Sequence, residues 1–228
     1  MSQPVLEYDG VTVRYEHHGT PTVEGVSLSV GAGERVALVG LNGSGKTTLL
    51  MAAVGLVEHE GAILVGGKAV NSRSLQAVRA SIGFLFNVPE DQLLFPKVVD
   101  DTAFALVRKG MKPKEAGARA REVLEQLGVG AVADSPLHHL SHGQKQRVAL
   151  AGALVTSPPL LLLDEPSAAL DPPGKRNLAQ LLASRDAAMV IATHDPEFAA
   201  ALCTRYVLLE GGRIAYDGAD ASEVAQRL

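Results

Sequence analysis

The stretch GLNGSGKTT, residues 40–48, decides the fold of this 228-residue chain. It matches the pattern G-x-x-x-x-G-K-S/T, follows the apolar run at residues 36–39 and opens a predicted helix from Thr47 to about Val57. Glycine-rich loops placed between a buried strand and a helix close their backbone N–H groups around phosphate oxygens. The sequence therefore predicts a phosphate-binding P-loop, with Lys46 at the β- and γ-phosphates and the Thr47 hydroxyl on Mg²⁺.

Apolar runs and helical segments alternate after this loop, which indicates βαβ units. Uninterrupted apolar runs are typical of strands buried on both faces of a parallel sheet, and they occur at residues 82–86, 160–166, 189–195 and 205–212. Predicted helices between them include residues 116 to about 127. Residues 10–19 and 25–34 instead alternate apolar and polar side chains, as half-buried antiparallel strands do. Gly66-Gly67 predicts a hairpin that joins those strands.

These patterns predict a single α/β domain over residues 1–228, built on a P-loop core with a mainly parallel sheet. An N-terminal antiparallel β subdomain and a helical insertion complete it. We expect the antiparallel part at about 1–35 and 60–70, the core at about 36–59, 71–87 and 146–228, and the helical subdomain at about 88–145.

The composition excludes several classes of protein. The net charge is −4 and no lysine and arginine stripe is present, which argues against a nucleic-acid partner. The single cysteine, Cys203, excludes a disulfide framework and a cysteine-based zinc module. The N-terminal sequence is not that of a signal peptide, and no run of about 18 apolar residues occurs. We expect a soluble, cytosolic chain that can still bind to a membrane protein.

A second motif, LLLLDEP at residues 160–166, ends a predicted central strand in two acids. Acidic pairs at strand ends are more often solvated surface, but a P-loop in the same chain reverses that preference. Asp164 then fits a carboxylate that binds Mg²⁺ through water, and Glu165 can polarise an attacking water. The N-K-x-D motif of GTPases is not in the sequence. The second acid therefore favours ATP hydrolysis.

The stretch LSHGQKQRVAL at residues 140–150 resembles the L-S-G-G-Q signature of ABC-type ATPases, and the resemblance covers the whole chain in the family's order. It implies an adenine-stacking role for Tyr15, a Walker A motif at 40–48, a Walker B motif at 160–165, a D-loop at 167–171 and a switch histidine at His194. The implied nucleotide-binding residues are Tyr15, Leu41, Asn42, Gly43, Ser44, Gly45, Lys46, Thr47 and Thr48.

The resemblance also implies a head-to-tail dimer, of identical or paralogous chains, that encloses two ATP molecules. Each ATP would contact one chain's Walker motifs and the signature residues of the other chain: Ser141, Gly143 and Gln144. Glu165 would act as the base or orient the water, His194 would contact the γ-phosphate, and Asp171 would belong to the D-loop.

Histidines cluster at two places. His138, His139 and His142 could together suggest a metal site, but the first two precede the signature helix and His142 replaces the first of the two glycines that the signature usually has. We favour a polar stretch beside a dimer interface. His17 and His18 are expected in a solvated loop beside the adenine pocket.

Residues 82–106 resemble the F-Q-N-P-D-D-Q-L-F segment of energy-coupling-factor importers. In those importers the ATPases drive a transmembrane scaffold subunit and a small substrate-binding membrane subunit, whose cargo is a vitamin such as biotin, or cobalt or nickel ions. The resemblance places this chain on the cytoplasmic face of the cell membrane, with the helix from Val98 against the scaffold. Asn87 stands where the family has a glutamine that binds Mg²⁺, and Gln92 aligns with a later glutamine. The chain ends at Leu228, so we expect no C-terminal dimerisation extension.

Other functions remain open. The chain could power a conventional ABC importer or exporter, a reading that residues 82–106 disfavour. A soluble ABC ATPase that acts on DNA ends or ribosomes usually carries coiled-coil insertions or basic arms, which the sequence lacks. A small-molecule kinase is disfavoured by the signature and the D-loop.

Overall fold

The computed structural model describes residues 3–15 and 19–227. In these residues the strands are β1 (Leu6–Val13), β2 (Val23–Val30), β3 (Arg35–Val39), β4 (Glu60–Val65), β5 (Lys68–Ala69), β6 (Ile82–Leu85), β7 (Leu160–Asp164), β8 (Ala188–Ala192), β9 (Arg205–Glu210) and β10 (Arg213–Gly218). The α-helices are α1 (Lys46–Ala53), α2 (Leu75–Ala80), α3 (Val98–Arg108), α4 (Pro113–Gln126), α5 (His142–Leu154), α6 (Pro172–Ala183), α7 (Pro196–Leu202) and α8 (Ala221–Ala225).

A six-stranded sheet forms the centre of the molecule, in the order β10-β9-β3-β8-β7-β6. All neighbours pair in parallel except β10, which pairs antiparallel with β9. Every residue of β7 and β8 is buried, because both faces of these strands are covered. The α/β fold predicted from the uninterrupted apolar runs is confirmed.

A second, four-stranded antiparallel sheet has the order β2-β1-β4-β5. Val65 pairs with Lys68 across Gly66 and Gly67, whose φ angles are 54° and 73°. Two consecutive left-handed residues make the tight hairpin turn that the Gly-Gly pair predicted. Since β4 pairs with β1, the hairpin joins the N-terminal strands as expected.

The core lies on both faces of the six-stranded sheet. Leu161 and Leu163 of β7 belong to the apolar cluster under the helices that include α3, α4 and α5. Leu160 and Leu162 point the other way, into the cluster shared with α1 and the antiparallel sheet. This alternation follows from the two-residue period of a strand, and it holds the sheet between two layers.

Two predicted helix boundaries were wrong by a few residues. Helix α1 ends at Ala53 rather than near Val57, because Gly55 is left-handed and the Leu56 N–H donates to the Met51 carbonyl. Together with the bond from the Gly55 N–H to the Ala52 carbonyl, this is a Schellman termination. Helix α4 begins earlier than predicted, at Pro113, where proline is favoured in a first turn. The strand of four leucines ends at Asp164, as the sequence predicted.

Candidate nucleotide-binding site

The P-loop connects β3 to α1 and places its glycines where the backbone is tightest. Gly45 is the N-cap of α1 with a φ of 103°, a conformation that side chains rarely adopt. A Cβ on Gly45 would also lie 2.7 Å from the Thr22 carbonyl oxygen. Only glycine fits here, and its backbone leaves the first N–H groups of α1 directed at the loop, where an anion is favoured.

Lys46 is the first residue of α1 and is nearly buried, with 8% of its surface exposed. Its Nζ donates to the carbonyl oxygens of Gly40, at 2.7 Å, and Leu41, at 3.2 Å. Burial lowers the pKa of Lys46, while the carboxylates of Glu165 and Asp164 oppose that change. The ammonium is thus a cation held among carbonyls and carboxylates, which suits it to compensate phosphate charge.

A cavity of about 260 Å³ adjoins this lysine. It brings together side chains from four separate stretches of the sequence. Its lining consists of Thr22, residues Asn42 to Thr48 of the P-loop, Asn87, Asp164 and Glu165. P-loop residues Asn42 to Thr48, Asn87 and both acids therefore share one cavity in the structure, which Leu41 does not line.

Asp164 ends β7 opposite the P-loop and accepts a hydrogen bond from the Thr47 hydroxyl at 2.6 Å. Burial raises the pKa of the Asp164 carboxyl, and the Thr47 hydroxyl bond opposes the rise. With the Asn87 amide these groups offer a hydroxyl, a carboxylate and a carbonyl oxygen. Such oxygen ligands suit Mg²⁺, which usually takes only one or two protein carboxylates beside phosphate and water, so the residues present fit the ion.

Glu165 follows Asp164 in a left-handed conformation, with a φ of 51°. Its backbone N–H donates to the Ala192 carbonyl of β8 at 2.8 Å, which ties the turn to the neighbouring strand. The carboxylate lies 2.8 Å from His194 Nδ1 and accepts a bond from the Thr193 hydroxyl at 3.2 Å. A left-handed non-glycine residue is strained, and such strain occurs at functional sites.

The signature residues start helix α5. Ser141 is its N-cap, and Ser141 and Gln144 form a capping box: the Ser141 hydroxyl accepts from the Gln144 N–H and the Gln144 side chain accepts from the Ser141 N–H. In the described residues, neither these two nor Gly143 lines the P-loop cavity of the same chain. Asp171 caps α6 through the Gly174 N–H at 2.9 Å.

Comparison with known proteins assigns the arrangement to a family. Residues 23–168 match the family model described as ABC transporter. The chain belongs to this family. It is 41% identical over 219 residues, 96% of this chain and 83% of the relative, to a Streptomyces avermitilis protein named as an ABC transporter ATP-binding protein.

Two solved structures extend the comparison. CbiO1 from Clostridium perfringens, part of the ABC transporter complex cbiONQ, has a TM-score of 0.82 at 32% identity, over 99% of this chain and 92% of that chain. MJ0796, a bacterial ABC transporter cassette solved as a dimer, has a TM-score of 0.86 at 28% identity, over 94% of this chain and 98% of that chain. MJ0796 has also been solved in a post-hydrolysis state bound to ADP and Pi. The present chain is an ATPase and the ATP-binding subunit of an ABC transporter.

Two amides in the loop after β6 of this ABC ATPase have different surroundings. Asn87 is exposed and lines the P-loop cavity. Gln92 instead accepts a hydrogen bond from the Phe86 N–H at 3.1 Å and donates one to the Ala149 carbonyl of α5 at 2.9 Å. Asn87 is therefore the amide that borders the P-loop cavity, whereas Gln92 links the end of β6 to the signature helix.

Tyr15 lies just past β1, and its hydroxyl is 3.4 Å from the Thr48 hydroxyl. The residue is 37% exposed. Leu41 and Asn42 are exposed at the tip of the P-loop. His17 and His18, predicted in a loop near the adenine, lie outside the described residues.

The three histidines of the signature region do not form one cluster. His138 and His139 form a 3₁₀ turn with Leu137, while His142 is the first residue of α5 and lies 3.9 Å from a Glu90 carboxylate oxygen. Across residues 3–15 and 19–227, no three His, Cys, Asp or Glu side chains are grouped to hold a metal ion.

Sequence patterns missed two residues of the site: Thr22, which lines the P-loop cavity, and Thr193. Thr193 lies between β8 and His194, is fully buried and donates its hydroxyl hydrogen bond to Glu165. Its position directly before the switch histidine, at the end of an apolar run, was the available signal.

Proposed function

We propose that this chain is the ATP-hydrolysing subunit of a membrane importer of the energy-coupling-factor type, which takes up cobalt or nickel ions or a vitamin such as biotin. The observation that carries the proposal is the segment at residues 82–106, whose sequence resembles that of these importers. The likeness to CbiO1 from Clostridium perfringens, part of the complex cbiONQ, supports the same assignment.

The P-loop cavity is the proposed ATP site. Tyr15 stacks on the adenine, the P-loop N–H groups from Asn42 to Thr48 bind the phosphates, and Lys46 compensates the charge of the β- and γ-phosphates. Thr47, Asp164 and Asn87 would hold Mg²⁺. When bound with ATP, this ion neutralises the charge that develops on the phosphates.

Glu165 is the proposed base, or the group that orients the attacking water. Its carboxylate borders the same cavity as Lys46 and is nearly buried, so its charge acts in a poorly hydrated environment. His194 contacts Glu165 through Nδ1 and exposes 69% of its side chain. This exposure leaves the imidazole able to reach a γ-phosphate.

The signature is proposed to act on the ATP of a second chain, identical or paralogous. Ser141, Gly143 and Gln144 lie at the N-terminus of α5, where the helix dipole favours a phosphate. Asp171 positions the D-loop by capping α6. The dimer of MJ0796, a similar cassette, supports an assembly of two ATPase chains.

The partner in the membrane is proposed to dock beside α3, in the predicted helical subdomain of residues 88–145. Phe104 and Val107 lie one helical turn apart on α3 and are exposed, as are Leu94 before the helix and Met111 after it. A groove of about 660 Å³ runs from Phe104 to Phe84 of β6. Exposed apolar side chains around a groove are typical of a protein interface.

Such docking would keep the chain on the cytoplasmic face of the cell membrane, bound to a scaffold subunit and a small substrate-binding subunit. No described helix is both long and apolar enough to span a bilayer.

ATP would favour the closed dimer because only that state adds the signature contacts. Hydrolysis at Glu165 would remove those contacts.

The test is to tag this chain in its own cells, solubilise the membranes in mild detergent, and identify the co-purifying proteins by mass spectrometry. We expect a scaffold and one small, very hydrophobic subunit, and that subunit would name the cargo. Recovery with a conventional permease pair would keep the ATPase and reject the energy-coupling-factor type. Recovery with soluble nucleic-acid proteins alone would reject transport.

A further inference from the structure

The Glu165 carboxylate is held by two neighbours that differ in burial. One oxygen lies 2.8 Å from Nδ1 of His194, whose side chain is 69% exposed. The other accepts a hydrogen bond from the Thr193 hydroxyl at 3.2 Å, and Thr193 is 0% exposed. One contact is therefore open to solvent and to ligands, while the other is enclosed by the protein.

The Thr193 hydroxyl is itself fixed in direction. It accepts the Asp195 N–H at 3.1 Å, so its single hydrogen is left to donate to Glu165. The Thr193 backbone N–H donates to the Leu38 carbonyl of β3 at 3.2 Å. Asp195 in turn caps α7 and pairs with Lys175 of α6 at 2.6 Å. The position of the Thr193 hydroxyl is thus fixed by contacts of Thr193 and Asp195 with β3, α6 and α7.

Glu165 depends on such support more than a residue within a strand would. Its φ of 51° takes it out of the geometry of β7, so the strand does not determine where its side chain points. In the proposed function, the exposed imidazole of His194 also contacts the γ-phosphate. The Thr193 bond is then the contact on the Glu165 carboxylate that is not shared with a ligand.

We propose that Thr193 is a positioning residue, which keeps the Glu165 carboxylate directed at the attacking water while His194 contacts the γ-phosphate. The inference deepens the proposed function and rests on its assignment of Glu165 and His194. It does not depend on the membrane partners or the cargo.

Thr193→Val tests the hydroxyl, since valine has nearly the same shape and lacks the donor. We expect kcat for ATP hydrolysis to fall about tenfold, equivalent to about 1.4 kcal/mol in the barrier, with KM for ATP within about twofold because the phosphate contacts are unchanged. Thr193→Ser, which keeps both hydrogen bonds, should recover most of the rate. If Thr193→Val does not fold, Thr193→Ala removes the same hydroxyl in a smaller side chain.

Thr102→Val is the matched control. Thr102 is also 0% exposed, and its hydroxyl donates to the Val98 carbonyl within α3, so its loss should leave kcat unchanged. A second control places Thr193→Val in a Glu165→Gln background. Glu165→Gln alone and the double variant should both form an ATP-bound dimer, detected by size-exclusion chromatography. An intact dimer in both would show that the loss of kcat comes from positioning and not from folding or assembly.

Unchanged kcat in Thr193→Val would overturn the inference, and so would a Thr193→Ser rate as low as that of valine, because the hydroxyl would then not be the active feature. A large rise in KM with constant kcat would instead assign Thr193 to nucleotide binding and would also refute it. Recovery of the chain with a conventional permease pair would reject the importer type and leave this inference standing.

Discussion

Gln92→Ala should destabilise the protein without removing a ligand of the nucleotide. The Gln92 side chain joins two elements, since its Oε1 accepts from the Phe86 N–H at 3.1 Å and its Nε2 donates to the Ala149 carbonyl at 2.9 Å. Phe86 directly follows β6, and Ala149 lies in the middle of α5. The substitution therefore removes the hydrogen-bonded link between the loop that carries Asn87 and the signature helix.

The magnitude follows from the two bonds. Both are partly buried, so water replaces them incompletely, and we take about 1 kcal/mol for each. The free energy of unfolding should fall by about 2 kcal/mol. For a chain of this length, 1 kcal/mol corresponds to about 2–4 °C, so the melting temperature should fall by about 4–8 °C.

Thermal unfolding followed by circular dichroism measures this change, together with the ATPase rate well below the melting temperature. Gln180→Ala is the matched control, because Gln180 is an exposed residue of α6 and its removal should change the stability by less than about 0.5 kcal/mol. Gln92→Glu separates the two bonds, since a carboxylate still accepts from Phe86 but cannot donate to Ala149.

Two results would refute this reasoning. A melting temperature equal to that of the Gln180→Ala control would show that the two bonds contribute no stability. Abolished ATP turnover with unchanged melting would mean that Gln92, rather than Asn87, is the amide that serves the nucleotide.

Substitutions at four further positions test other parts of the structure. Asn87→Ala should reduce Mg-ATP turnover sharply while Asn87→Gln retains it, and an unchanged rate for alanine in a steady-state assay would remove Asn87 from the site. Glu165→Gln should trap an ATP-bound dimer, detectable by light scattering, and a variant that stays monomeric with ATP would count against the dimer. Gly83→Ala should destabilise the protein by about 1–3 kcal/mol, because an added Cβ would collide with the Ala153 carbonyl of α5. Gly117→Ala in α4 places its Cβ in open space and should stabilise the protein by about 0.5–1 kcal/mol. Denaturant titrations measure both changes.

The sequence was sufficient where one local signal determines the structure. The leucines of β7 form an uninterrupted run because both faces of the strand are covered, so burial can be inferred from hydrophobicity alone. The hairpin at Gly66 and Gly67 follows from the left-handed φ angles that those residues tolerate. The P-loop motif likewise predicts the strand before it and the helix after it.

The sequence was insufficient where a contact depends on the pairing of distant segments. Thr193 meets Glu165 because β7 and β8 are adjacent and in a register that sets Asp164 opposite Ala192. Strand order and register are fixed by the packing of the whole sheet, and no pattern near Thr193 encodes them. The same holds for Gln92, whose partner Ala149 is 57 residues away.

The adjacent acids at the end of β7 show how a single backbone angle separates two functions. Asp164 keeps strand geometry and meets Thr47 of the P-loop, whereas Glu165 turns left-handed and meets Thr193 and His194 beyond β8. Were Glu165 to continue the strand, its side chain would point to the face opposite Asp164 and leave the cavity. The positive φ, anchored by the bond from the Glu165 N–H to Ala192, is what allows both carboxylates to border one cavity with different partners. The sequence motif identifies both acids, but only the pairing of β7 with β8 explains why they can act separately.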